Sequence, residues 1–396
     1  MINARGKRGE SRIFSAEGPA TQVHFIEATN IYWRYKMNIK SLLLGSAAAV
    51  VAATGARAAD AIVIPEPEPM EYVRVCDVYG AGFFYIPGTE NCLKIGGYMR
   101  YQLTSFDNLD AGDGGYVKYA RFAPTFDVRS ETAWGTLRGF AEIEFNWGDT
   151  RVNPASTYLP GYGNNATNLL HAFIEVGNPG GVLRIGRTEN PYARFLGFGH
   201  SGWIDSGNYG YINSGEISYT FKSGAFSAVV ALVEDTADTN WMPNVEGGVR
   251  YDFAAGSFIG VAAGYDDASE TWGAKAVLDY TAGAFYGELG VFYSDFDSAP
   301  LAPIGPYVIL DSAGRPTDWS IQSDIGYTVN PQVRLGLAGQ YFFESETYEV
   351  GAQVAYSPFG NNGLVVKAEG RYYSDISDVA DDQDAFGAFL RFDRNF

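Results

Sequence analysis

The sequence predicts an all-β chain, a transmembrane antiparallel β-barrel of about sixteen strands with short periplasmic turns and long external loops. Three observations predict it. The last thirteen residues, Asp384 to Phe396, place Phe386, Ala388, Leu390, Phe392 and Phe396 on one parity, interrupted only by Arg394. Gly387, Arg391, Asp393 and Asn395 fall on the other parity, so the chain closes on a strand with one apolar and one wet face. Such a terminal strand leaves an open edge unless it pairs with the first strand, and closure is how a sheet can sit in lipid. Second, the links between alternating segments sort by length: long and short ones take turns along the chain, as in barrels whose turns lie on one side of a membrane. Third, Trp272/Tyr280, Phe285/Tyr293, Trp319/Tyr327 and Tyr348/Tyr356 are aromatic pairs with one spacing on one strand face. At ~3.3 Å per residue and ~40° tilt that spacing rises ~20 Å, close to the ~25 Å apolar band between aromatic girdles. Ordinary aromatic strand content is the competing reading of those pairs.

Three segments precede the barrel. Residues 1–36 lack periodicity and read as an over-long start or an unstructured leader. Residues 37–58 read as a signal peptide: a basic Met37-Asn-Ile-Lys40, an apolar Ser41 to Ala53, and the small-x-small site Ala56-Arg57-Ala58. The apolar run is shorter than the ~20 residues a spanning helix needs. Residues 59–91 follow as a Pro-rich periplasmic leader, whose Pro-Glu repeats cannot pair in a central strand, and a small hairpin carrying Cys76 and Cys92. Two Cys without a nearby His make a poor metal site, so a disulfide is expected, closing a loop that contributes ~3 kcal/mol by chain entropy. Residues 92–396 form the barrel.

The alternation starts with Leu93, Ile95, Met99, Tyr101 and Leu103 on one parity and Lys94, Tyr98, Arg100, Gln102 and Thr104 on the other. Strands are expected at 119–129, 136–147, 169–176, 182–187, 216–222, 225–233, 245–253, 257–265, 272–280, 285–293, 319–329, 333–343, 348–356 and 364–373, before the closing strand. Long connections fall at 148–168, 188–215, 294–318 and 374–382, and short links lie between. Residues 1–58 hold 8 of the 28 basic and 3 of the 46 acidic residues, which leaves a formal −23 for the exported part. That balance argues against a basic nucleic-acid-binding face. The 27 Tyr, 26 Phe and 48 Gly, without any apolar run of helix-spanning length, favour a barrel over a soluble enzyme.

Several stretches resemble alphaproteobacterial porins of the rhizobial and brucella type: Met37 to Ala49, Ala59-Asp-Ala-Ile-Val63, the Pro-Glu-Pro-Glu-Pro run, Glu71-Tyr-Val-Arg-Val-Cys76, Gly80 to Cys92, and the Arg391-Phe-Asp-Arg-Asn-Phe396 ending. Phe226 to Leu232 echoes the same family in mid-chain, whereas the loops depart from it, so solute preference does not carry over. The resemblance implies a homotrimeric outer-membrane porin for general diffusion of small hydrophilic solutes and ions, with its third loop folded into the lumen. It also matches the family's cysteine pair to Cys76 and Cys92. Outer-membrane lipid and the outer-membrane insertion machinery are then the expected partners, with Phe392 and Phe396 as the closing-strand insertion signal.

A passive pore needs a hydrated lumen, a constriction and charges set across it. Residues 188–215 are the expected inward loop, because Phe195-Leu196-Gly-Phe198 would be odd outside but can pack on an inner wall. Its acidic candidates are Glu189 and Asp205, and its basic or switchable ones Arg194 and His200. The facing lumen parity supplies Arg100, Arg121, Arg129, Arg138 and Arg184, which would set a transverse field across the throat. Two alternatives stand beside this: a solvated external loop, and arginines held in structural ion pairs, with Glu142 and Glu144 able to neutralise some of them. No enzyme is expected, since His171 falls on the lumen parity and no P-loop, dinucleotide fingerprint or metal spacing occurs; no cofactor or metal is expected either. A solute-selective, for instance sugar-selective, channel is the alternative within the class. A barrel anchoring the outer membrane to peptidoglycan through the mature Ala59 amine is the alternative outside it.

Overall fold

The computed structural model describes residues 74–108, 113–151, 166–197, 210–234, 241–295, 305–360, 363–376 and 383–396. The expected leader, signal peptide and Ala59 lie outside the described residues, as do His200 and Asp205 of the inward loop. Sixteen strands build the barrel wall. They are β1 Cys92–Asn108, β2 Asp113–Thr132, β3 Gly135–Arg151, β4 Thr167–Asn178, β5 Gly181–Glu189, β6 Asn213–Ser223, β7 Phe226–Val233 and β8 Asn244–Ala254. The series continues with β9 Ser257–Asp266, β10 Thr271–Ala282, β11 Phe285–Asp295, β12 Trp319–Asn330, β13 Val333–Phe342, β14 Thr347–Tyr356, β15 Leu364–Tyr373 and β16 Ala385–Asn395. Every neighbouring pair is antiparallel, and β16 closes the ring on β1 from Ala385↔Asn108 to Asn395↔Tyr98. Phe396 completes the seam through a reciprocal pair of backbone hydrogen bonds with Gly97, of 3.0 and 3.2 Å. A side chain at Gly97 could not be accommodated: φ is +139° and a Cβ would lie 2.1 Å from the Ala123 carbonyl oxygen.

The period of two decides which side chains meet lipid. On β9, Ile259, Val261 and Tyr265 are exposed outward while Phe258, Gly260, Ala262, Gly264 and Asp266 face in and are buried. The expected girdle aromatics all lie on the outer face and meet across strands. Trp272 and Trp319 flank Tyr293 at ring-centroid distances of 4.9 and 4.8 Å, and Phe285 meets Tyr327 at 4.7 Å. Among the described residues no helix is long and apolar enough to cross a membrane; crossing is by strands alone. Turns at the periplasmic end are tight, as at Gly224-Ala225 and Gly283-Ala284, where positive φ at each glycine suits a two-residue hairpin. The long-and-short alternation is not strict: the external links 267–270 and 343–346 are themselves turn-like.

Ahead of β1, Cys76 and Cys92 are bridged with a Cα separation of 6.0 Å and bury a small core with Phe83. This hairpin sits against the lumen side of the first strands. Phe83 lies beneath Arg129, 5.0 Å from its guanidinium to the ring centroid, and the Tyr79 hydroxyl donates to Glu131 at 2.8 Å. Burial and that carboxylate together push the Tyr79 phenol up to about 12.

Candidate functional site: the lumen wall and its inward segments

All five predicted wall arginines point into the lumen, and each meets a carboxylate of the same wall. Arg100 pairs with Asp393 across the closing seam at 2.6 Å, and Arg121 pairs with Glu144 while its Nε donates to Asn146 at 2.7 Å. Arg129 and Arg138 share Asp127 at 2.7 and 3.0 Å, and Arg138 and Arg184 share Glu175 at 2.9 and 2.6 Å. The registers Arg129↔Arg138, Arg138↔Glu175 and Glu175↔Arg184 make this a row across four strands. Like charges set directly opposite are unfavourable, and the shared carboxylates offset them. The guanidinia also lie over Phe140 and Phe173, at 4.8 Å for Arg138 and 4.3 Å for Arg184. Glu142 takes no part; it faces His171 in register, and His171 Nδ1 sits 3.0 Å from the Thr188 hydroxyl.

The chain after β5 turns inward where expected. A single helical turn, α1 (Pro191–Arg194), starts on a proline, whose fixed φ and missing amide donor suit the first helical position. Asn190, fully buried, staples the base of the excursion: its backbone N–H donates to Ile212 O, its side-chain oxygen accepts from Ile212 N at 2.9 Å, and its Nδ2 donates to Gly210 O at 2.6 Å. Tyr192 and Leu196 pack in one apolar cluster with Phe258, Ala262, Val277 and Tyr307, and Phe195 packs at its margin. Phe198 lies outside the described residues. Arg194 does not reach across the lumen. It returns to the β6 wall, pairing with Glu216 at 2.6 Å and donating to Ser218 at 3.1 Å, while its Nε donates to the Glu189 carbonyl.

Sequence reasoning missed a second inward segment. Between β11 and β12, Tyr307, Val308 and Ile309 are buried, Ile309 beside Phe292 and Phe342. The two excursions touch, Gly210 N donating to Pro306 O at 2.8 Å. Both are anchored by Glu246 of β8, itself buried. Its carboxylate accepts from Asn190 Nδ2, from the Tyr192 backbone N–H at 2.6 Å and from the Tyr307 hydroxyl at 2.7 Å. Lys275 of β10 adds a hydrogen bond to Ala193 O at 3.3 Å. The wall beneath is floored with small residues. A Cβ on Gly260 would come within 2.4 Å of Leu196, and one on Gly264 within 2.4 Å of Tyr307. Two signals were available in sequence: an apolar Tyr307-Val-Ile-Leu310 inside a long connection, and glycine and alanine repeated on the lumen parity of β9.

A carboxylate row was also missed. Asp279, Glu288 and Asp324 stand opposite one another on β10, β11 and β12, all lumen-facing and buried. At the external rim, Glu344 lies in the link after β13. Burial acts to raise its carboxyl, yet donation from the Thr317 hydroxyl and nearby backbone N–H groups wins and holds it below the usual carboxylate range.

A closed barrel with a lipid-facing belt, a charged lumen and segments folded inside it is the architecture of a membrane channel. A family model described as the porin subfamily matches residues 60–389. The chain belongs to the porin subfamily. Porin Omp2b of Brucella suis biovar 1 (strain 1330) is 37% identical over 385 residues, covering 91% of this chain and 100% of that one. Among solved structures, the anion-selective porin from Comamonas acidovorans superposes with a TM-score of 0.56 over 78% of this chain and 100% of that one, at 13% identity. The OmpF of Salmonella typhi complexed with daunomycin does so with a TM-score of 0.54 over 77% and 98%, at 11% identity. At these identities the two structures bear on the fold alone. The porin is an outer-membrane β-barrel that serves as a general diffusion porin, a channel rather than an enzyme.

Proposed function

We propose that this porin's throat lies between two unlike walls. One is the bank formed by α1 and Tyr307–Ile309, held on β8–β10; the other is the arginine-bearing face of β1–β5. The observation that carries the reading is the triple acceptance by Glu246, which ties both inward segments to the wall. Glu189 and Arg194 then contribute at the foot of the bank, and Arg100, Arg121, Arg138 and Arg184 line the open side. Arg129 lies over the disulfide hairpin, toward the periplasmic mouth.

Because each wall arginine meets a carboxylate, the throat presents alternating fixed charge rather than one strong sign. That arrangement favours polar solutes of either charge over apolar ones and makes selectivity mild. Phe140 and Phe173 are covered by guanidinia, which leaves no bare aromatic track for sugar rings there and favours general diffusion over a sugar-selective path. The outer face of β14–β16 and β1 carries the small residues Ala352, Ala368, Gly370 and Ala388 beside Leu103 and Phe386, which line a shallow apolar depression suited to receiving a neighbouring copy in a homotrimer. Attachment to peptidoglycan through Ala59 is a separate reading, tested by muramidase digestion and mass analysis of the N-terminal peptide.

Reconstitution into planar bilayers and solute-loaded liposomes tests the reading. Stable ohmic steps, liposome swelling that falls smoothly with sugar size, and a small reversal potential in a potassium chloride gradient are expected. Saturable block by one sugar would favour the selective alternative, and a barrel passing neither ions nor sugars would refute diffusion. Cross-linking in native membranes should give a ladder ending at three copies.

A further inference from the structure

The lumen cations are not all treated alike. The five arginines on β1–β5 each meet a carboxylate, whereas the cations of a second row do not. Arg334 stands opposite Ala355, Ala355 opposite Lys367, Lys367 opposite Arg391 and Arg391 opposite Gln102, one continuous register line across β13, β14, β15, β16 and β1. All are on the lumen parity, toward the periplasmic end. Among the described residues Arg334, Lys367 and Arg391 form no ion pair with a carboxylate. Arg334 lies 4.9 Å over the Tyr286 ring, and Arg391 lies 4.7 Å over Phe389 while donating to Gln102.

The neighbouring carboxylates are already engaged. Asp393 is held by Arg100 through two hydrogen bonds of 2.6 and 3.4 Å. Glu369 is held by Arg371 and by Gln353, the latter at 3.0 Å. Lys367 and Arg391 therefore face each other directly, a like-charge pair that ordinarily destabilises a sheet. Arg334 and Lys367 line a cavity of about 740 Å³ together with Tyr286, Gln353 and Ala355, while Arg391, opposite Lys367 in register, lies outside that lining. The methyl of Ala355 leaves open the space between Arg334 and Lys367.

We propose that this row is an anion-docking site in the periplasmic vestibule, selective for small oxyanions such as inorganic phosphate. A tetrahedral oxyanion in the cavity has enough acceptor oxygens to be shared between the Arg334 guanidinium and the Lys367 ammonium, and it adds counter-charge to a like-charge contact that Asp393, held by Arg100, offsets only in part. Chloride could screen the row but not bridge it. The site slows oxyanions on their way through the pore, concentrating them at the inner mouth. It does not depend on which segment narrows the throat.

The test is single-channel current of the full-length porin in potassium chloride, with inorganic phosphate titrated on the periplasmic side. Phosphate should lower the wild-type current in a saturable way. Lys367→Gln and Arg334→Gln should conduct potassium chloride but need at least about tenfold more phosphate for the same effect, as expected for losing a charge-assisted contact. Lys367→Arg should keep the response. A wild-type channel that conducts potassium chloride and ignores phosphate overturns the proposal, as do Lys367→Gln and Arg334→Gln channels as sensitive as wild type.

Discussion

The lumen face of β1–β5 and that of β8–β10 belong to the same sheet yet are furnished in opposite ways. The first carries long arginines fixed by Asp127, Glu144, Glu175 and Asp393. The second carries Gly260, Ala262, Gly264 and Gly273, with Glu246 buried among them. Where β1–β5 are bare toward water, side chains reach into the lumen, and the arginines there are paired. Where an inward segment lies on the wall, most residues directly beneath it are short, and a buried acceptor fastens it with help from Lys275. Wall composition by parity thus records where chain is folded inside a barrel.

Overfilling the floor should break that contrast most strongly. Gly264→Leu would drive a side chain into Tyr307, costing about 1–3 kcal/mol of overpacking. The segment should lift from the wall, read as faster proteolysis near Tyr307 and noisier, larger single-channel currents. On the opposite wall the effect should be electrical. Arg138→Gln leaves Asp127 and Glu175 each with one cation fewer, so reversal in a salt gradient should move toward cations, and Glu175→Gln should move it the other way. The accompanying stability loss should be about 1 kcal/mol, discounted from the buried-pair figure because the Arg138 side chain is 24% exposed. No shift from either variant would mean the row does not face the permeation path.

Smaller effects belong to the two rims. Replacing Cys76 and Cys92 together by Ser should loosen the periplasmic hairpin by up to about 3 kcal/mol while leaving conductance unchanged. Altered conductance would place that hairpin in the throat. At the external rim, the Glu344 carboxyl is held below its ordinary value, so its contribution is fully present above pH 4.5 and lost as pH falls through its depressed folded-state value. Digestion of the residue 305–318 segment should speed up below that pH in the wild type. In Glu344→Gln it should already be fast at neutral pH.

The barrel was legible in sequence because face selection needs only a period of two. Phe386, Ala388, Leu390 and Phe392 versus Arg391 and Asp393 settle inside and outside without any partner strand. Even there one residue escaped: Phe389 points inward and packs with Ala338. What could not be read is which residues share a row. Glu288 meets Asp279 on one side and Asp324 on the other, and Lys367 meets Arg391, only through strand register, and turn geometry sets that register. The same limit hid the local neutralisation of Arg138 and Arg184, since Asp127 and Glu175 reach them across strands, whereas Arg129 meets Asp127 two residues away on its own strand. The inward course of residues 190–197 showed in its apolar Phe195-Leu196 run within a long connection, and an equal run at Tyr307–Leu310 carried the same signal.

The most direct test of the docked-bank account is the single-channel conductance and polymer-exclusion limit of Glu246→Ala against wild type. Removing the shared acceptor leaves the Asn190, Tyr192 and Tyr307 donors unsatisfied, at about 1–3 kcal/mol each. The account predicts larger conductance steps and entry of larger polymers. Steps and cut-off identical to wild type, in a variant that still inserts, would show that the segments held by Glu246 do not define the pore.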